Sequence, residues 1–162
     1  MRFRLVVTDL DGTLISSRAE ISPRNLAALT RWAERGAHIC VATGRHPTSS
    51  LEFTSRFPFP YTLIGLNGAV LVDQPSGRIR SRRLMTPQQT RATLAAIGSL
   101  GLDKRRDLMT MDIWYVSHYD EYVNQRTGWL GMELRLIPEP CDLSAAKVMV
   151  EVPQARSREI LA

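Results

Sequence analysis

Two carboxylates, Asp9 and Asp11, follow on the run Leu5-Val6-Val7-Thr8 and stand just before Gly12 and Thr13. Paired acids at a strand end can divide labour at phosphorus. One attacks and forms an aspartyl phosphate, and the other moves the leaving group's proton. An unperturbed Asp ionises near pH ~3.9, so acid work at neutrality needs a raised pKa or a substrate that brings the proton. A hard cation such as Mg²⁺ suits the pair, because a carboxylate and a phosphate dianion otherwise repel. Gly12 gives backbone N–H groups access to phosphate oxygens, and Thr43, before Gly44 and Arg45, offers a hydroxyl. Each motif alone has a plainer reading. Asp9 to Gly12 could be an Asx turn, Thr43 a helix cap, and Asn67-Gly68 a turn pair.

The elements around these residues bring them together. Leu5-Val6-Val7-Thr8, Ala37 to Ala42 and Tyr61-Thr62-Leu63-Ile64 are short apolar runs of the kind expected for strands buried on both faces. Between the first two, Ser22-Pro23 starts a helix that Gly36 stops, with Leu26, Leu29 and Ala33 along one stripe. A shorter helix is expected from Thr48 to Arg56, ahead of Pro58 and Pro60. This alternation predicts a parallel sheet whose right-handed crossovers put all three strand ends on one edge. Ligands of open α/β sheets bind at that edge. The segments that end there are Asp9 to Thr13, Thr43 to Arg45, and Asn67-Gly68.

The second half is α+β in pattern. Val70 to Asp73 and Arg78 to Ser81 flank Gln74-Pro75-Ser76-Gly77 as a hairpin, and Thr86-Pro87-Gln88-Gln89 is a capping box opening a helix to Gly98 or Gly101. Met109 to Val116 is expected as one strand, Asp120 to Trp129 as a helix, Glu133 to Ile137 and Lys147 to Val152 as strands, and Gln154 to Ala162 as the start of a helix. The expected domains are residues 1–78 and 79–162.

Composition excludes several classes. With 44% hydrophobic and 23% charged residues, the chain is neither disordered nor fibrous. No apolar run approaches the roughly 20 residues of a membrane span, and the apolar N-terminus meets Asp9 too early for a signal peptide. A cytoplasmic protein without membrane contact is expected, with Cys40 and Cys141 as reduced thiols. The net charge of +5 is carried by arginine, since Lys104 and Lys147 are the only lysines. Arg78, Arg80 and Arg82 are expected to protect an edge strand, and without interleaved aromatics no nucleic-acid partner is assigned. His38, His46 and His118 are expected to be structural or exposed.

Asp-Leu-Asp-Gly-Thr-Leu at 9–14 resembles the first motif of the haloacid dehalogenase superfamily, and Val41-Ala42-Thr43-Gly44-Arg45 is similar to its second. Gly65-Leu66-Asn67-Gly68-Ala69 followed by a hairpin resembles the Cof-type subgroup, phosphatases of small phosphorylated metabolites. The resemblance implies an α/β fold: a Rossmann-like parallel-sheet core, of which residues 1–78 supply three strands, plus an α+β cap over 79–162. It implies Asp9 as nucleophile and Mg²⁺ ligand, and Asp11 as acid and base that also gives the metal its backbone carbonyl. Gly12, Thr13, Thr43, Gly44, Arg45, Asn67 and Gly68 would bind phosphate and substrate, with sugar phosphates the default.

The family pattern also has a lysine after the cap and a later Gly-Asp plus Asn-Asp cluster, and residues 1–162 contain neither. The resemblance thus implies a chain that stops within the cap, with Leu5-Val6-Val7 as an open apolar edge. It also implies weakened Mg²⁺ binding and negligible phosphatase activity for these residues alone. The competing expectation is a non-catalytic remnant or interaction module on the same fold.

Overall fold

The apolar runs and capping signals become regular elements at nearly the expected places in the structure, a computed structural model describing residues 3–102, 105–121, 123–125 and 132–156. The chain divides into two units, Met1–Arg83 and Leu84–Ala162.

The first unit runs β1 (Leu5–Asp9), α1 (Pro23–Glu34), β2 (His38–Ala42), α2 (Pro47–Thr54), β3 (Tyr61–Gly65), β4 (Val70–Gln74) and β5 (Arg78–Arg82). The sheet follows chain order, β1-β2-β3-β4-β5, parallel across the first two pairings and antiparallel across the last two. Ser22 Oγ accepts from the Asn25 N–H at 3.1 Å to cap α1, and Pro23 fits the first turn, where an N–H would lack a partner. His46 caps α2, its Nδ1 accepting from the Thr48 N–H at 3.2 Å, so this buried histidine is structural. Because both crossovers step the same way, α1 and α2 share one face. Leu29 and Phe53 from these helices pack there with Ile39, Val41, Tyr61 and Leu63.

The other face is different. Leu5 and Val7 are 54% and 55% exposed at the β1 edge. A polar ladder joins the next strands: the Thr62 hydroxyl bonds His38 Nε2 at 2.9 Å and donates to Asp73 Oδ1 at 3.2 Å. Arg80 Nε donates to both Asp73 oxygens at 2.7 Å, and this holds the Asp73 carboxyl below the usual range.

The three parallel strands are extended to a five-stranded sheet by the expected hairpin, which joins through the β3–β4 pairing. The units divide after Arg83, a little beyond the expected Arg78, since β5 is hydrogen-bonded to β4 along Arg78 to Arg82.

In the second unit α3 (Pro87–Ser99) opens on the expected capping box, with the Gln89 N–H donating to Thr86 Oγ1 and the Thr86 N–H to Gln89 Oε1. Strands β6 (Arg106–Met109), β7 (Ile113–Val116), β8 (Glu133–Leu136) and β9 (Lys147–Val150) form a sheet in the order β8-β7-β6-β9. The single strand expected over Met109 to Val116 is a hairpin. The Thr110 N–H donates to the Ile113 carbonyl at 3.0 Å, and the Thr110 hydroxyl accepts from the Ile113 N–H at 3.1 Å, which reverses the chain. Leu94, Leu108, Tyr115, Cys141 and Ala145 form this unit's buried cluster.

Of the helix expected over Asp120 to Trp129, Glu121 and 123–125 are helical, Asp120 precedes them with its Oδ1 accepting from the Val123 N–H at 2.8 Å, and 122 and 126–129 lie outside the described residues. Gln154–Arg156 is a single 3₁₀ turn, and the expected helix beyond it also lies outside them. Cys40 and Cys141 are free, buried thiols. Among the described residues no helix is long and apolar enough to cross a membrane.

Candidate active site

Parallel register fixes the site. Asp9, the last residue of β1, pairs with Ala42, and Ala42 pairs with Ile64, so three strand ends reach one rim of the sheet. The loops after them are tied together by their backbones. The Thr43 N–H donates to the Ile64 carbonyl at 2.9 Å, the Leu66 N–H to Arg45 at 2.9 Å, and the Asn67 N–H to Thr43 at 3.2 Å. Glycine suits position 65 where these loops touch, since a Cβ there would lie 3.2 Å from Pro47 Cγ and 3.3 Å from the Arg45 carbonyl, a close fit.

After Asp9 the chain curls over the buried Leu10, whose carbonyl accepts from the N–H groups of Leu14 and Ile15 at 3.1 and 2.8 Å. Gly12 makes the turn at φ +73°, a conformation that costs a glycine least. Thr13 Oγ1 donates to Asp9 Oδ2 at 3.3 Å, so Thr13 steadies the first carboxylate. Thr43 is buried, and its Oγ1 accepts from the Arg45 N–H at 3.1 Å across Gly44. Asn67 holds φ +57° before Gly68, a left-handed conformation that asparagine tolerates better than most residues.

All nine residues singled out in the sequence therefore lie on these three loops. What the sequence did not reveal is the link between two of them. Arg45 grips Asp11 with a guanidinium fork, Nε at 2.9 and 3.1 Å from its two oxygens and Nη2 at 2.7 Å from Oδ1. Phe53 lies beneath, 4.8 Å from ring centroid to Arg45 Cζ, in cation–π contact. The hydrogen bonds from Arg45 hold the Asp11 carboxyl below its usual 3.8, outweighing the opposing effect of partial burial. The Arg45 guanidinium is in turn pushed further up. This runs against the raised pKa that acid work at neutrality calls for. Nothing in the sequence marks Phe53, an apolar residue on a helix, as part of the site.

Asp9 and Asp11 supply hard oxygen donors, the type Mg²⁺ prefers. Among the described residues no three His, Cys, Asp or Glu side chains cluster into a cage.

Residues 6–149 match the family model of haloacid dehalogenase-like hydrolases. The chain belongs to that family. It is 33% identical over 73 residues to the pyridoxal phosphate phosphatase YbhA of Escherichia coli, a match covering 45% of this chain and 27% of that protein. It is 31% identical over 133 residues to the HMP-PP phosphatase of Cronobacter sakazakii, covering 82% of this chain and 48% of that one. A haloacid dehalogenase-like hydrolase from Bacteroides thetaiotaomicron superposes with a TM-score of 0.74 at 20% identity, over 98% of this chain and 62% of its own. The chain spans less than two thirds of the length of each of these relatives.

Proposed function

We propose that this protein hydrolyses phosphate monoesters of small metabolites through an aspartyl phosphate on Asp9, with the second unit, Leu84–Ala162, in the role of a cap. The observation that carries this reading is the pairing of Asp9 with Ala42, because it sets the carboxylate and the Thr43 loop side by side at one rim.

In this reading a carboxylate oxygen of Asp9 forms the bond to phosphorus as the ester oxygen leaves with a proton from Asp11. Water then attacks the acyl phosphate, gives its proton to Asp11 and releases inorganic phosphate and free Asp9. Thr43, Gly44 and the N–H groups around Gly12 and Thr13 hold the transferring group, while Asn67 and Gly68 line the substrate side. Held by Arg45, Asp11 is set for the base half of this cycle. For the acid half, Arg45 has to turn from Asp11 to the incoming phosphate.

The Asp9 carboxylate and the Asp11 backbone carbonyl would hold Mg²⁺, which when bound screens the repulsion between carboxylate and phosphate. Relatives named as phosphatases of pyridoxal phosphate and HMP-PP support a small phosphorylated substrate, with sugar phosphates the default class. A cytoplasmic location without nucleic-acid or membrane partners belongs to the same proposal.

The test is Mg²⁺-dependent phosphate release from a panel of sugar phosphates and pyridoxal phosphate. Release, however slow, is expected to disappear in Asp9→Asn. Equal release from the variant contradicts the proposal. Absence of both release and phosphate-analogue binding favours the non-catalytic alternative.

A further inference from the structure

The face of the second unit's sheet opposite Leu108 and Tyr115 carries a carboxylate that its surroundings leave incompletely matched. Asp107, on β6, has a side chain only 8% exposed, and its Oδ1 accepts no hydrogen bond. The nearest cation, Arg105, keeps its Nε 3.9 Å from that oxygen and places Nη1 3.0 Å from Asp120 Oδ2. His118 Nε2 lies 3.6 Å from the same Asp120 oxygen. Burial pushes the Asp107 carboxyl up, opposed by the Arg105 charge and by the indole N–H of the buried Trp114, which forms no aligned hydrogen bond. Buried polar groups are almost always paired, so an oxygen like this one points to something that binds it.

Asp107 lines a cleft of about 290 Å³ together with Arg105, Met149, Val150 and Glu151. Glu151 is exposed and makes no ion pair among the described residues. Among the described residues the wall has two carboxylates and one guanidinium, which Asp120 already shares, so acidic groups outnumber basic ones there. Three ligating side chains do not converge here among the described residues. An ammonium needs only one or two acceptors, and Met149 and Val150 offer apolar contact to a carbon body.

We propose that the second unit binds a small organic ammonium ion in this cleft, with its N–H groups donating to Asp107 and Glu151. The site uses none of the residues assigned to phosphoryl transfer and does not depend on that assignment.

The experiment follows the Trp114 indole Nε1–H resonance of the full chain, identified with Trp114→Phe, during titration with n-butylammonium chloride. Butan-1-ol and sodium chloride are the matched controls. A saturable shift is expected with the ammonium alone, with affinity at least tenfold weaker in Asp107→Asn and several-fold weaker in Glu151→Gln. Glu151 is exposed, so that second variant reports even where the first fails to fold. Absence of a saturable shift means the oxygen is met by water only and overturns the proposal. An equal response to butan-1-ol, or unchanged affinity in the variants, overturns it too.

Discussion

Arg45 sets the behaviour of Asp11 more than any other single residue. Three hydrogen bonds to one carboxylate, backed by an aromatic face, are a stronger restraint than the usual surface ion pair. The sign of the pH effect follows from the direction of the shift. A carboxyl whose pKa is lowered on folding adds stability above its unfolded pKa, and this is lost as pH falls through the folded value. In a ¹³C titration the Asp11 carboxyl should therefore ionise below 3.8, and Arg45→Ala should move it upward. An Asp11 that titrates identically in both proteins would show that the fork does not form in solution. The acids themselves were legible in the sequence, because strand-end position and glycine spacing announce them. Their partner's direction was not, since Arg45 and Phe53 meet Asp11 only through the folded loops.

At the scale of elements, local chemistry that acts within four residues was readable and chemistry between segments was not. Ser22-Pro23 and Thr86-Pro87 with Gln89 start helices where their side chains satisfy free N–H groups. Ser22→Ala should cost about 1 kcal/mol in urea unfolding, the usual loss for a capping hydroxyl; no measurable change would mean that the cap is idle. The β6–β7 reversal has no sequence mark because Thr110, Met111 and Asp112 include neither glycine nor proline, and a side-chain hydroxyl makes the turn. The charges of β5 mark it as an edge in the sequence, whereas only its pairing with β4 assigns it to the first unit. The β1 edge carries its own consequence. Leu5 and Val7 are more than half exposed beside unpaired backbone, an invitation to association. Replacing both with lysine should lower self-association in sedimentation velocity while leaving the circular dichroism spectrum unchanged. Undiminished association would place the sticky surface elsewhere.

For the whole molecule, the division after Arg83 makes a claim about cooperativity. The first unit has its own five-stranded sheet and its own core under α1 and α2. Chains of about 80 residues can fold alone when such a core is present. A fragment of residues 1–83 is accordingly expected to give a dispersed amide spectrum that overlays the same residues of the full chain. A collapsed spectrum would show that the unit borrows stability from the rest. The account rests on Asp9 and Thr43 gripping one phosphoryl group, and beryllofluoride with Mg²⁺, a mimic of an acyl phosphate, tests that most directly. In an amide-resolved titration, residues 9–13 and 43–45 should shift together and saturably, and Asp9→Asn should abolish the response. Shifts confined to one loop, or persisting undiminished in Asp9→Asn, would contradict it.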